Sequence, residues 1–195
     1  VSALDFWRIK NEIGGEVWLQ NIDFRFEGPW TGWLSPLQAI ALGANGSLLN
    51  HSEHSLPPGK VRQILAYLKK EEWQNKWKKQ IKELEKAINN FQIMVCLRSK
   101  NQILGWGRKL KPKADFIAYE PPELIGGDIS VSNARPEVIK DAAEAMAGQN
   151  LIVGAGIKTR EDVEKAIDLG AKGVLVSSGV VKAADPKKVL EDLAA

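Results

Sequence analysis

Short apolar runs alternate with segments of helical periodicity along most of the chain. The runs are Val17–Ile22, Gly46–Asn50, Gln92–Leu97, Ala114–Tyr119, Asn150–Val153 and Lys172–Val176. Several are nearly continuous in apolar residues rather than alternating. That is the pattern of a strand buried on both faces, as in a parallel sheet covered by helices. Residues 4–13 read as a helix stopped by Gly14-Gly15. Ser35-Pro36, Pro136 and Asp185-Pro186 each open a helix, with proline in the first turn where its missing N–H costs nothing. Thr159 with Asp162 has the spacing of a capping box, Asp replacing the usual Glu. Leu-Gly-Ala occurs at 42–44 and again at 169–171, each time between a helix and a strand. A left-handed glycine cap is expected at Gly43 and Gly170. Serial βα units of this kind build a barrel or an open α/β sheet.

Residues 59–90 break the rhythm. Their apolar positions keep helical spacing from Val61 to Ile88, without a proline or glycine after Gly59. A continuous helix would run about 45 Å at ~1.5 Å per residue. A break near 70–72 or a projecting helix is therefore expected. Trp73 and Trp77 lie one turn apart on one face of this stretch. They cover the core or face another subunit, and a membrane-surface role is a third reading.

Composition narrows the class. With 195 residues and 44% hydrophobic content the chain can bury a sizeable core, so one domain spanning 1–195 is expected. A net charge of +3 does not argue for nucleic acid, although it would help attract a small anion. No apolar run is long enough to span a membrane, and no signal peptide is recognisable. Cys96 is the only cysteine, which rules out an intrachain disulfide and points to the cytoplasm.

Candidate chemistry collects where strands end. His51 follows Leu48-Leu49 in the loop Asn50-His51-Ser52-Glu53-His54-Ser55. An imidazole there can donate to a carbonyl oxygen or pass a proton between oxygens. The bland alternative is a polar loop or helix start capped by Ser52 and Glu53. The two histidines share one short loop with Glu53 and do not make a good metal site, so no metal is expected. Glu120 follows Phe116–Tyr119, then Pro121-Pro122 and, further on, Gly126-Gly127. A stiff, glycine-hinged loop beside a carboxylate has the character of a lid over a general base; an ordinary proline-rich turn is the alternative. The last two strands run into Gly154-Ala155-Gly156-Ile157 and Ser177-Ser178-Gly179-Val180. Small residues there let backbone N–H groups approach an anion, and barrels often bind phosphate after these strands. No dinucleotide fingerprint is present, and no cofactor is expected. Base, electrophile and phosphate cradle together suit proton transfer beside the carbonyl of a small phosphorylated substrate.

These blocks carry a family resemblance. Leu19-Gln20-Asn21, Trp30-Thr31-Gly32, Leu34-Ser35-Pro36, Asn50-His51-Ser52-Glu53, Tyr119–Gly126, Gly154–Ile157 and Ser178-Gly179-Val180 resemble, in order and spacing, the triosephosphate isomerase family, in its short archaeal form. The resemblance implies a TIM (β/α)8 barrel of the α/β class, here incomplete, with about six strands. It also implies a helical insertion around 70–86. It gives Glu120 the role of the proton-abstracting carboxylate and His51 that of the neutral imidazole. Ser52 holds the carboxylate in the open state, and Glu53 and Asn21 support the site. Gly126, Gly154, Ala155, Gly156, Ser178 and Gly179 would surround the phosphate, and Pro121–Gly127 would be the lid. Thr31 resembles the tip residue that reaches a neighbouring subunit, so a homo-oligomer, dimer or tetramer, is implied. The implied reaction interconverts dihydroxyacetone phosphate and glyceraldehyde 3-phosphate without a cofactor.

The chain also departs from that pattern. Val1–Leu4 resembles the tail of the family's second strand, so the first strand with its Asn-x-Lys falls outside these residues. Glu53 resembles the carboxylate that pairs with that lysine. His54 and Trp33 replace the usual Arg and Glu near the subunit contact. A second chain completing the barrel, or a catalytically silent interaction module of the same descent, is the alternative expectation.

Overall fold

A computed structural model describes residues 1–24, 28–69, 82–146 and 148–194. The chain divides into two compact units. The first comprises residues 1–95 and 110–115, the second residues 96–109 and 116–195.

In the first unit, helix α1 (Phe6–Ile13) leads to strand β1 (Trp18–Leu19), α2 (Pro36–Ala41), β2 (Gly46–Leu49), α3 (Pro58–Lys69), a 3-10 turn at Lys82–Leu84, α4 (Glu85–Asn90) and β3 (Gln92–Leu97), whose last two residues belong to the second unit. β1 pairs with β2 and β2 with β3, all parallel. The ladder at 17–22 is shorter than the apolar run suggests, because Asn21 and Asp23 turn their polar groups to the loop that follows. Val1 adds to β1 with ladder geometry: its amino group donates to Trp18 O at 2.6 Å and its carbonyl accepts from Gln20 N at 3.1 Å. α1 ends at Gly14 with φ 58°, as its glycines predict. Lys10 caps this end by donating to Gly15 O and to Asn45 Oδ1, both at 2.9 Å. Asn45 Oδ1 also accepts from Val17 N, so one amide ties α1 to the starts of two strands. Ser35 occupies the N-cap position of α2 but makes no side-chain cap, and Pro36 alone marks that start.

Asp115 is the polar weld of this unit. Its Oδ2 accepts from Ile93 N at 2.7 Å, and Lys69 Nζ lies 2.9 and 2.7 Å from its two oxygens. The end of α3 is thereby tied to the start of β3. Ile22, Leu49, Val61, Leu65, Ile93 and Val95 are fully buried in this unit, each contributing roughly 1.5–3 kcal/mol by leaving water. The break expected near 70–72, and Trp73 and Trp77, lie outside the described residues.

The second unit runs from the end of β3 through α5 (Lys100–Leu104) and a 3-10 turn at Gly107–Lys109. It resumes with β4 (Phe116–Tyr119), a 3-10 turn at Pro122–Leu124, α6 (Val131–Ala134), α7 (Pro136–Ala145), β5 (Asn150–Gly154), α8 (Arg160–Asp168), β6 (Gly173–Leu175), α9 (Ser178–Val181) and α10 (Pro186–Ala194). β4 pairs with β5 and β5 with β6, again parallel and in chain order. The Thr159–Asp162 capping box is complete in both directions. Asp185 caps the last helix through Lys188 N at 3.0 Å. Gly43 (φ 87°) and Gly170 (φ 101°) take the left-handed conformation expected of the two Leu-Gly-Ala turns. Among the described residues no helix is long and apolar enough to cross a membrane.

Candidate functional site

In the first unit the site residues follow β2. Asn50 sits in the left-handed region at φ 61°, which asparagine tolerates better than most residues. It is buried, and its Oδ1 accepts from Leu56 N at 2.9 Å, closing the loop on itself. His51 follows at once. Its Nδ1 accepts from Glu53 N at 3.4 Å. An acceptor at Nδ1 leaves the proton of the neutral ring on Nε2, the tautomer that can donate to a substrate oxygen. The Glu53 carboxylate stands 3.6 Å from the same Nδ1 while remaining 85% exposed. Ser52 lies beside them with its carbonyl accepting from Ser55 Oγ. Because α3 starts only at Pro58, Ser52 and Glu53 belong to a loop and cap no helix. Asn21 donates to Asp23 Oδ1 at 3.3 Å, and its own Oδ1 is buried with no hydrogen-bond partner among the described residues. Asp23 brackets Leu34, accepting from its N–H at 2.8 Å and donating to its carbonyl at 2.9 Å. This pins the base of the loop that carries Trp30, Thr31 and Trp33, with both indoles exposed.

In the second unit Glu120 follows β4, its N–H donating to Leu97 O at 3.0 Å. The carboxylate lies against Gly154 at the end of β5: a Cβ built there would stand 2.9 Å from Oε1 and 3.0 Å from Cγ. Cys96 donates its thiol to the same carboxylate. Burial first, then the Glu120 charge and this hydrogen bond, push the thiol far above its ordinary range. Cys96 is thus a neutral donor to Glu120 and not a nucleophile. Its place next to the end of β3 is the one sequence signal that could have marked it.

The segment expected to act as a lid holds a 3-10 turn at Pro122–Leu124, followed by Gly126 at φ 72°. Glu123 pairs with Arg135 at 3.3 Å, and Asp128, just beyond the lid, with Lys158 at 2.5 Å. The Lys158 hydrogen bond and charge hold Asp128 below the usual carboxylate range. Both pairs are exposed, and pairs of that kind contribute little stability.

Gly154, Ala155 and Gly156 leave β5 in a tight turn, Ala155 at φ 83° and Gly156 at φ 70°. An alanine in that region stores of order 1–2 kcal/mol of strain. A Cβ on Gly156 would meet Ile129 O, so only glycine is accommodated. Gly179 packs as closely on Ile157 O, where a Cβ would stand at 2.9 Å. The N–H groups of Gly126 and Gly156 meet no acceptor among the described residues, and those of Ser178 and Gly179 open a helix, where no carbonyl lies one turn back. These are the groups an oxyanion would use. Within this unit the structure therefore brings Glu120 onto the Gly154 turn, and that turn onto residues 129–131.

The family model for triosephosphate isomerase matches residues 1–193. The chain belongs to the triosephosphate isomerase family. Curated relatives of that name include one from Thermoplasma volcanium, 41% identical over 91% of this chain and 75% of its own length. One from Cenarchaeum symbiosum is 37% identical over 91% and 72%, and one from Archaeoglobus fulgidus is 36% identical over 99% and 79%. Every site residue named above lies within the triosephosphate isomerase match. Membership of this family also fixes the α/β class that the parallel strands express.

Proposed function

We infer that the chain is a triosephosphate isomerase, interconverting dihydroxyacetone phosphate and D-glyceraldehyde 3-phosphate through an enediolate. Glu120 takes the proton from the carbon beside the carbonyl and returns it to the neighbouring carbon. His51, protonated at Nε2, donates to the substrate oxygen and relays the hydroxyl proton. The amides of Gly126, Gly156, Ser178 and Gly179 receive the phosphate, and residues 121–127 close over the intermediate and exclude water. Cys96 holds Glu120 in place. No cofactor takes part.

The observation that carries this reading is the contact of Glu120 with Gly154. It supports a reading in which the carboxylate works beside a turn whose Gly156 N–H meets no acceptor among the described residues, an arrangement suited to a three-carbon substrate with a terminal phosphate. The protein acts as a homo-oligomer in the cytoplasm, and the exposed loop with Trp30, Thr31 and Trp33 is the surface offered to a second copy. Glu120→Asp tests the assignment in the full-length protein. Withdrawing the carboxylate by one methylene is expected to lower kcat by about 10²-fold or more, and unchanged turnover would refute it.

A further inference from the structure

Asp162 lies behind the Gly154–Ile157 turn, buried, and is engaged well beyond the needs of a helix cap. Its Oδ2 accepts from Lys158 N and Thr159 N, both at 3.1 Å, and its Oδ1 accepts from Asn133 Nδ2 at 2.9 Å. Its carbonyl accepts from the buried Ser132 hydroxyl at 3.0 Å. Lys165 donates to Asn133 Oδ1 at 2.7 Å, which fixes the amide with its NH2 toward Asp162 and Ser130 Oγ. Both carboxylate oxygens are thus filled by donors from two segments: residues 158–159, leaving the phosphate turn, and residue 133, six residues beyond the lid. Val131 N donates to Ala155 O at 3.0 Å, and Gly156 lies against Ile129 O, so the same two segments also meet directly.

We propose that Asp162 is a positioning residue of the phosphate site, locking the segment after the lid (128–133) and the turn 154–159 into one piece. This extends the isomerase reading, because it takes that turn to be the phosphate cradle. An exposed cap would need only the Thr159 and Lys158 contacts. Here a buried charge is held by donors on the far side as well, so residues 158–159 and residue 133 are tied through one carboxylate. The chemistry makes the arrangement intolerant of an amide. Asn at 162 has one oxygen for two sets of donors, so its NH2 must face either the 158–159 amides or the Asn133 NH2.

The test uses Asp162→Asn and Asn133→Ala in the full-length protein. Asn133→Ala leaves the capping box intact and keeps the question answerable if Asp162→Asn folds poorly. Both variants are expected to raise KM for glyceraldehyde 3-phosphate and the inhibition constant of inorganic phosphate by about tenfold, with kcat within about threefold. Hydrogen exchange is expected to quicken in residues 126–133 and 154–159 together. Unchanged KM, with faster exchange confined to the start of α8, would overturn the proposal and leave Asp162 a helix cap. Joint loosening of both segments in a protein whose wild type neither turns over triose phosphate nor binds phosphate would instead overturn the phosphate assignment.

Discussion

The carboxylate of Glu120 rests on the α-carbon of Gly154, so closely that a methyl group there would come within 2.9 Å of Oε1. The position of this carboxylate is therefore set by the absence of a side chain thirty-four residues further along the chain. Gly154→Ala is expected to push the carboxylate from its seat and lower kcat by about 10²-fold, since a shift of about 1 Å in a reacting group carries a loss of that size. Circular dichroism and steady-state kinetics on the same sample check it. A folded variant with normal turnover would show that the contact is incidental.

Cys96 should be inert. Burial and the Glu120 carboxylate keep its thiol protonated, and the thiolate is the reactive form. Iodoacetamide at pH 8 is expected to leave the native protein unmodified by intact mass, and to add one carbamidomethyl group in urea. Rapid native labelling would contradict the environment described for Glu120.

Asp115→Ala is expected to destabilise the first unit by roughly 2–4 kcal/mol, because it leaves the Ile93 N–H without its acceptor and the half-buried Lys69 ammonium with the Phe91 carbonyl but no counter-charge. Urea unfolding with an unchanged m-value measures the loss. A change below about 0.5 kcal/mol, the range of ordinary surface substitutions, would show that water replaces the carboxylate.

Much of this was legible in the sequence where the determinant is local. Glu120, His51 and the two glycine turns each follow a strand-like run, and strand period and turn chemistry are read within a few residues. The Thr159–Asp162 box belongs to the same class. The second role of Asp162 was not legible, because its partner Asn133 lies in a different segment and nothing in either stretch names the other. The Cys96–Glu120 bond was hidden for the same reason: the apolar runs place Cys96 within one strand and Glu120 after another, and say nothing of their meeting. Ser35 shows the reverse error. Its sequence context signals a cap, yet its hydroxyl makes none, and Pro36 with its preset φ accounts for the start of α2. The 17–22 run was too generous because apolar content marks burial, while Asn21 and Asp23 decide where the ladder stops.

Acid stability follows from Asp162. Burial alone would raise its carboxyl, but hydrogen bonds from Ser130, Lys158 and Thr159 prevail and hold it below the usual carboxylate value. A depressed folded value means stability fully present above the unfolded value of about 3.9 and lost as pH falls through the folded one. Between about pH 5 and pH 2 the wild type should therefore lose stability more steeply than Asp162→Asn, which has no charge to lose. Thermal unfolding across that range checks the slope, and parallel curves would remove Asp162 from the acid response.

The most direct test of the central claim is isotopic. Dihydroxyacetone phosphate incubated with the full-length protein in D₂O, followed by proton NMR, reads proton transfer at carbon without depending on coupled enzymes. The account predicts glyceraldehyde 3-phosphate carrying deuterium at C2 and substrate carrying a single deuterium at C1, with both signals abolished in a folded Glu120→Gln variant. Incorporation by Glu120→Gln at the wild-type rate would contradict it, because the proton would then be moved by another group.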